Sequence, residues 1–366
     1  MQSDSFSRRS FLQTTVLAGV ALTGGLAAAP ETAAPRPRKI KLGYDNFAVR
    51  AMKWNARQLV DYAAQLNCDT VFITDFGPFE GKHDDTALTD LRKYAADQGV
   101  EILLGSWSIC PTSKSFRKDW GTAEEHLALG LRMAKALGSP AFRVVLGAQN
   151  DRSTEGGIEA RIADTVKVLQ SQRSRALDLG VKVAVENHAG DMQAWELVTL
   201  IEAAGKDFVG ANFDSGNACW TLEDPVASLA QLAPYVVTTS LRDSMIWESA
   251  NGVTCAWTAM GDGGTDLSAF FDLFATRCPG VAVNIETISG ATREFPIWQP
   301  DFWKTFPKAR AADLAAFLAL AKKGRPVPPR PTPAGLDKTQ ADHIYQREQI
   351  ERSLQYCRAT LGLGLR

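Results

Sequence analysis

The sequence is poor in histidine, with four in 366 residues, and none of its six cysteines forms a CxxC pair. Cysteines 68, 110, 219, 255, 278 and 357 are scattered, a pattern that spells neither a zinc ribbon nor a disulfide framework. An excess of charge of one sign is also missing. Forty Lys and Arg oppose 41 Asp and Glu, a net charge of −1, so no global field points to nucleic acid. No long apolar run follows residue 29, which excludes an internal membrane-spanning helix. No GxGxxG stands after an early strand: the first strand–helix joint reads Tyr44-Asp-Asn-Phe-Ala-Val49. That argues against a doubly wound dinucleotide-binding sheet. A hydrophobic fraction of 45% with 22% charged residues excludes a disordered or collagen-like chain and supplies a large core.

The N-terminus reads as an address. Arg8 and Arg9 lie in the run from Ser7 to Leu12, followed by an apolar, Gly- and Ala-rich stretch over 14–29. Small residues up to Ala29 and Ala34 offer cleavage sites. This is the pattern of a twin-arginine signal over residues 1–34; an uncleaved N-terminal anchor is the alternative. The expectation is export, already folded, by the twin-arginine machinery to the periplasm or beyond, with no membrane attachment once the signal is removed.

From residue 39 onward, short apolar or β-branched runs alternate with amphipathic helical stretches. Strands are expected at 40–47, 70–74, 101–108, 141–147, 182–187, 209–214, 236–243 and 281–287. Helical patterns fall at 56–66, 86–98, 122–137, 158–179, 194–204 and 267–278, several closed by glycine, such as Gly99, Gly138 and Gly180. Eight such units over about 250 residues predict an α/β fold of the (β/α)₈ barrel type across residues 35–303. Residues 304–366 break the rhythm, with a helix at 314–323, a proline-rich linker at 324–335 and one long amphipathic helix at 339–361. This C-terminal helical extension carries 12 basic and 5 acidic residues, which leaves 35–303 at net −8. It is suited to pack across the acidic barrel or against a second subunit in a homo-oligomer; a merely solvated helix face is the alternative.

Chemistry in such barrels gathers at the C-terminal ends of the strands. Strand five ends in Glu186-Asn-His188, strand six in Asp214-Ser-Gly-Asn217, strand seven in Ser240-Leu-Arg242-Asp243 and strand eight in Glu286-Thr. An ionised carboxylate at the end of an apolar strand is costly unless paired or metal-bound. One acidic strand end alone is a helix cap or an ion-pair partner as readily as a catalytic group. Three, on strands five, six and eight, predict a site in which Glu186, Asp214 and Glu286 converge, an oxygen set suited to Mg²⁺ or Mn²⁺. Only His188 of the four histidines lies at a strand end, so a His₃ zinc site is not available. His188 shares its strand face with Glu186 and is a candidate substrate or acid–base group. Asn217 is a candidate donor to a substrate hydroxyl. Arg242 and Asp243 are either site residues or a surface ion pair. Trp107 either walls a sugar ring or belongs to the core.

These strand ends resemble those of the sugar phosphate isomerase/epimerase family, the xylose isomerase-like barrels, over residues 40–290. That resemblance implies a divalent metal held by a Glu after strand five, an Asp after strand six, a His after strand seven and a Glu after strand eight. Glu186, Asp214 and Glu286 match three of the four. Ser240 replaces the histidine of the family's His-x-Lys-Asp element, and Asn217 stands where the family often has a histidine. The stretch Gly261-Asp-Gly-Gly-Thr-Asp266 is similar to the family's glycine-rich segment before its last helix. The implied cofactor is Mn²⁺ or Mg²⁺, with Co²⁺ or Zn²⁺ as alternates. Serine is a poor ligand, so the same substitution also allows weakened or lost metal binding.

The expected activity is proton abstraction beside a sugar carbonyl, with Glu186 and Glu286 as the catalytic pair and a cation on the carbonyl oxygen. Return of the proton to the same carbon makes an epimerase and return to its neighbour an isomerase. Loss of a β-substituent from a keto-sugar glycoside makes a lyase. Export favours an unphosphorylated sugar, keto-sugar or glycoside over a sugar phosphate. Trp107, Trp220, Trp247 and Trp257 offer aromatic surface for a sugar ring. A non-catalytic sugar-binding barrel is the alternative outside enzymes. Metal-dependent phosphoester cleavage is disfavoured by four histidines and an acidic barrel.

Overall fold

A computed structural model describes residues 37–330 and 335–366. The proposed signal, residues 1–34, and positions 331–334 of the proline-rich stretch lie outside the described residues. Eight parallel strands form one sheet: β1 (Leu42–Asp45), β2 (Thr70–Ile73), β3 (Glu101–Ser108), β4 (Ala141–Val145), β5 (Lys182–Glu186), β6 (Val209–Phe213), β7 (Val236–Thr239) and, beyond an insertion, β10 (Val283–Ile285). From β1 to β7 each pairs with the next, and β10 pairs with β1. Just past β7, the Leu241 amide donates to the Asn284 carbonyl at 2.7 Å and the Glu286 amide to the Leu241 carbonyl at 2.8 Å. These bonds close the ring, so the fold is the expected α/β barrel rather than an open sheet.

Alternation along the strands explains which side chains meet at the centre. Leu42 and Tyr44, Val183 and Val185, and Val283 and Ile285 all join the main hydrophobic core beneath the helices. Their neighbours Asp45, Glu186 and Glu286 therefore point the other way, into the barrel. The outer helices are α1 (Ala56–Gln65), α2 (Asp85–Asp97), α3 (Ala123–Leu137), α4 (Gly157–Ser171), α5 (Arg173–Leu179), α6 (Ala194–Ala204), α7 (Ser215–Trp220), α8 (Pro225–Leu232) and α9 (Leu267–Arg277). Their starts follow from local chemistry. Asn55 with Gln58, and Thr122 with Glu125, form reciprocal caps at the N-termini of α1 and α3. Gly138 ends α3 at a φ of 78°, a left-handed conformation that glycine adopts without strain. The helical pattern expected at 158–179 breaks into α4 and α5 at Gln172.

Two features lie beyond the strand–helix rhythm. The expected seventh strand stops at Thr239. Asp243 instead opens an antiparallel hairpin of β8 (Asp243–Ser249) and β9 (Gly252–Thr258), joined by β11 (Thr292–Phe295). This small sheet and α10 (Ala311–Ala321) share a separate apolar cluster that includes Ile246, Cys255, Trp257, Phe295 and Phe317. The second feature is α11 (Lys338–Ala359), which packs against β1, β10 and the turn Asn46–Met52. Its Ile350, Leu354 and Cys357 enter the main core, so it occupies the place of the helix that follows strand eight. Its basic residues meet the barrel: Arg358 donates to the carbonyls of Leu66 and Asn67 at 2.8 and 2.9 Å, and Arg352 pairs with Asp262. All six cysteines are buried free thiols. Among the described residues, no helix is long and apolar enough to cross a membrane.

The helix–sheet interface is tight enough to test. A methyl group at Gly130 in α3 would lie 2.0 Å from the ring of the buried Phe142 in β4. Gly130→Ala gains about 0.5–1 kcal/mol in helix propensity but overpacks the core by about 1–3 kcal/mol. A net loss of stability is expected, read as a lower urea midpoint at unchanged slope.

Candidate active site

The strand ends open into one cavity of about 350 Å³, lined by Phe47, Thr74, Asp75, Trp107, Arg117, Arg143, Glu186, His188, Asn217, Arg242, Trp257 and Glu286 among others. This volume is at the small end of the ~300–1,000 Å³ range of ligand sites. Three carboxylates face three guanidiniums along the lining, so the mouth is close to electrically balanced.

Glu186 ends β5 and is wholly buried. Its Oε2 accepts from Arg143 Nε at 2.5 Å and from Asn212 Nδ2 at 2.8 Å. Its Oε1 accepts only the longer bond from Asn217 Nδ2, at 3.2 Å. Burial opposes its charge, but the Arg143 guanidinium, helped by His188 and Arg242, outweighs that and holds the carboxyl below its ordinary range. Arg143 is fixed in turn by donating from Nη1 to the Ser106 carbonyl at 2.8 Å. Glu286, on a strand three places round the ring, differs. Its Oε2 accepts from Arg242, while Oε1 has no protein partner among the described residues. Burial pushes this carboxyl well above the carboxylate range, with Arg242 acting against it and Asp45, Asp214 and Glu186 acting with it.

Asp214 stands just after β6 but does not line the cavity. Its Oδ1 caps α7 by accepting from the amides of Gly216 and Asn217 at 2.8 and 3.0 Å. Its Oδ2 accepts from Asn217 Nδ2 at 2.7 Å and from Arg242. Burial raises it to about 7 despite Arg242. Asp45, at the end of β1, is raised by burial to about 6 and accepts from Ser240 Oγ at 3.0 Å.

The structure thus brings Glu186, Asp214 and Glu286 to one barrel mouth, as expected, but not as a metal-binding set. One Arg242 Nη2 donates to both Asp214 and Glu286, and Arg143 occupies Glu186. Ser240 is engaged below by Asp45 and Asn212. Among the described residues, no group of three or more His, Cys, Asp and Glu side chains has the arrangement of a metal site. The residues present do not fit a divalent cation: its place between Asp214 and Glu286 is taken by a guanidinium.

Three other expectations change. Asp243 does not face the cavity. Its carboxylate accepts from the amides of Gly261, Gly263 and Thr265 at 3.3, 3.0 and 3.3 Å and holds the glycine-rich loop. Asn217 reaches the cavity, but its amide donors are spent on Asp214 and Glu186. What it has left is a buried Oδ1 without a partner, so it presents an acceptor where a donor was expected. Arg242 is no surface ion pair but is 2% exposed.

His188 and Trp107 wall the cavity together, with ring centroids 5.3 Å apart. The Gly147 carbonyl lies 2.6 Å from His188 Nδ1; a carbonyl only accepts, so Nδ1 carries the proton and Nε2 is the free acceptor. Burial lowers the imidazole's affinity for a second proton, against the pull of Glu186. Ala189, the next residue, has a φ of 45°, a strained conformation for a side-chain-bearing residue. Trp107 is anchored by its Nε1 donating to the Ser115 carbonyl at 2.8 Å. Of the other tryptophans, only Trp257 reaches the cavity. Trp220 stacks behind it at 4.0 Å, and Trp247 lies on β8 away from the site. Sequence reasoning missed Arg143, Asp45, Arg117, Thr74 and Asp75. The signals for two of them were there: Arg143 interrupts the apolar run of strand four, and Asp45 ends strand one as Glu286 ends strand eight.

With this geometry in place, comparison with known proteins gives the class. A model of the xylose isomerase-like TIM barrel family matches residues 60–319, and the chain belongs to that family. No curated protein sequence matches it. Among solved structures, it is similar to a D-psicose 3-epimerase crystallised in the presence of D-fructose. That pair has 15% identity and a TM-score of 0.57, covering 88% of this chain and 100% of the other. It is also similar to the D-psicose 3-epimerase of Clostridium cellulolyticum H10 with D-tagatose, at 13% identity and a TM-score of 0.56, covering 88% and 100%. The IOLI protein with a bound zinc atom is a third, at 15% identity and a TM-score of 0.53, covering 77% and 95%. At these identities the likeness is one of fold.

The Arg143–Glu186 pair generates a prediction in pH. Arg143 holds the Glu186 carboxyl below its ordinary range, so Glu186 should stay ionised into mildly acidic solution. Arg143→Gln leaves Glu186 buried without that partner and should move its titration upward by roughly 1–3 pH units. A carboxyl NMR titration of the two proteins checks the shift.

Proposed function

We propose that this chain is an isomerase or epimerase of carbohydrate metabolism. It removes and returns a proton beside the carbonyl of a small, unphosphorylated sugar or keto-sugar. The observation that carries this reading is the pair of glutamates facing one cavity from different strands in opposite surroundings. Arg143 holds Glu186 below the ordinary carboxylate range, whereas burial pushes Glu286 well above it. Environments that push two carboxyls apart in this way assign one as base and the other as acid. Glu186 takes the α-proton through its lightly used Oε1, and Glu286 delivers a proton from Oε1. His188 Nε2 and Asn217 Oδ1 accept substrate hydroxyls, and the Trp107 face covers the apolar side of the sugar.

Substrate charge follows from the lining. Arg143 and Arg242 are already engaged by Glu186, Asp214 and Glu286, which suits a neutral polyhydroxylated molecule better than a phosphate dianion. Export by the twin-arginine route, part of the same proposal, agrees with a free sugar. The ketose 3-epimerases of similar fold, crystallised with D-fructose and D-tagatose, suggest ketohexoses as the first substrates to try.

A second reading, a sugar-binding barrel without chemistry, is favoured by one observation: Arg143 and Arg242 already engage both glutamates. One experiment separates the two. Ketohexoses and 3-keto-glycosides are incubated with the protein in D₂O and followed by NMR. Deuterium entering the α-carbon, reduced about 10²–10⁴-fold in Glu186→Gln and in Glu286→Gln, supports the enzyme. Elimination of the aglycone from a keto-glycoside would redirect it to a lyase. Binding without exchange for every sugar would leave the non-catalytic barrel.

A further inference from the structure

The place that three strand-end carboxylates would offer a metal is filled by Arg242, and the surrounding structure is built to keep it there. Asp214 and Glu286 share its Nη2. The Ser215 hydroxyl accepts from the Arg242 amide at 3.0 Å. The guanidinium lies 4.2 Å over the Trp257 ring. Trp257 is fixed by its Nε1 donating to the Gly216 carbonyl at 2.9 Å, and Trp220 stacks on its far side at 4.0 Å and 12°. Arg293 completes the pile, 4.8 Å over Trp220. Gly216 leaves room for this arrangement: a Cβ there would lie 2.5 Å from Arg242 Cγ and Cδ.

The guanidinium is nevertheless unfinished. Nη1 and Nε are buried and have no hydrogen-bond partner, and Arg242 lines the cavity. A buried donor left unmade is costly, and a charged one more so. Asn217 Oδ1, on the same lining, is also buried without a partner. A ligand that offers a carbonyl oxygen to the guanidinium and a hydroxyl to Asn217 would satisfy both residues.

We infer that Arg242 is the resident cation of this site: its unpaired N–H donors hold the substrate's carbonyl oxygen, and the chain works without a divalent metal. This rests on the proton-transfer reading given above. In the step, the α C–H bond breaks and its proton passes to Glu186. The electron pair forms the C=C bond, and the carbonyl π pair moves to oxygen, which becomes an enolate oxygen held by Arg242. Reprotonation from Glu286 reverses the flow, so no oxidant or reductant is needed. A guanidinium stabilises such an oxyanion because its charge and donors are already in place in a site that excludes water.

The test uses the whole protein and two probes, Mn²⁺ and D-threonate, the latter an anionic four-carbon polyol acid that mimics the enediolate. Trp257 under Arg242 provides a fluorescence signal. Wild type is expected to carry far less than one metal per chain by elemental analysis and to show no stoichiometric Mn²⁺ uptake by EPR titration. Its threonate-induced fluorescence change should be unaltered by EDTA. Arg242→Lys, which keeps the charge, and Gly216→Ala, which crowds the guanidinium, should each bind threonate about ten- to hundredfold more weakly. Any of three results overturns the inference: near-stoichiometric metal lost in Glu286→Gln, no threonate binding by wild type, or unchanged binding in both variants. The metal and threonate measurements stand even if a variant misfolds, because wild type alone gives them. Threonate binding without deuterium exchange on any sugar would overturn the enzymatic reading while leaving Arg242 as the ligand cation.

Discussion

Four carboxylates, those of Asp45, Glu186, Asp214 and Glu286, are buried at one barrel mouth, and this concentration of charge governs what surrounds it. Removing an ion from water costs several kcal/mol even after relaxation, and removing one partner of a buried pair costs about 3–5 kcal/mol. Neutral dipoles alone cannot offset four such groups. Arg143 and Arg242 supply the counter-charge from strand four and from the segment after strand seven. The carboxylates that these two guanidiniums leave undercompensated are the ones burial pushes upward. The placement of two arginines thus sets the cavity's two glutamates on opposite sides of the ordinary carboxylate range.

That placement draws on the parts of the chain that depart from an ideal barrel. The hairpin of β8 and β9 turns away directly after Arg242 and brings Trp257 back over it. The same excursion delivers Asp243 to the glycine-rich loop, where it accepts three amides. The detour continues through β11 and α10 before α11 takes the position of the eighth helix. The insertion and the site are one construction: the apolar cluster beneath the hairpin fixes the tryptophan pile, and the pile fixes the guanidinium.

An arginine differs from a metal ion as the cation of a site. Its donors are directional, its charge is permanent, and it needs no supply from outside. It also offers fewer open positions, which fits the unsatisfied atoms on the cavity lining, Arg242 Nη1 and Nε and Asn217 Oδ1. The substitution of Ser240 is consistent with this change of cation. A serine hydroxyl bridges Asn212 and Asp45, a task a ligand histidine in that position would not perform.

The sequence by itself determined the barrel, because alternation with period two and helices of repeating length leave few other ways to bury eight apolar strands. It also placed Glu186, Asp214 and Glu286 at one end, since the ends of parallel strands are fixed by the same alternation. It did not show that β7 ends at Thr239, because 236–243 reads as one continuous run. Nor did it show that the helix at 338–359 packs as part of the barrel, which long-range contacts with β1 and β10 decide. Above all, the partners of the carboxylates were not legible. A charged residue's position along a strand tells which way it points, but not which opposite charge it meets across the barrel. Arg143 and Glu186 are 43 residues apart and Arg242 and Glu286 are 44 apart. Only closure of the ring sets those side chains against each other, and only then does a set of oxygen ligands become a set of arginine-bound carboxyls.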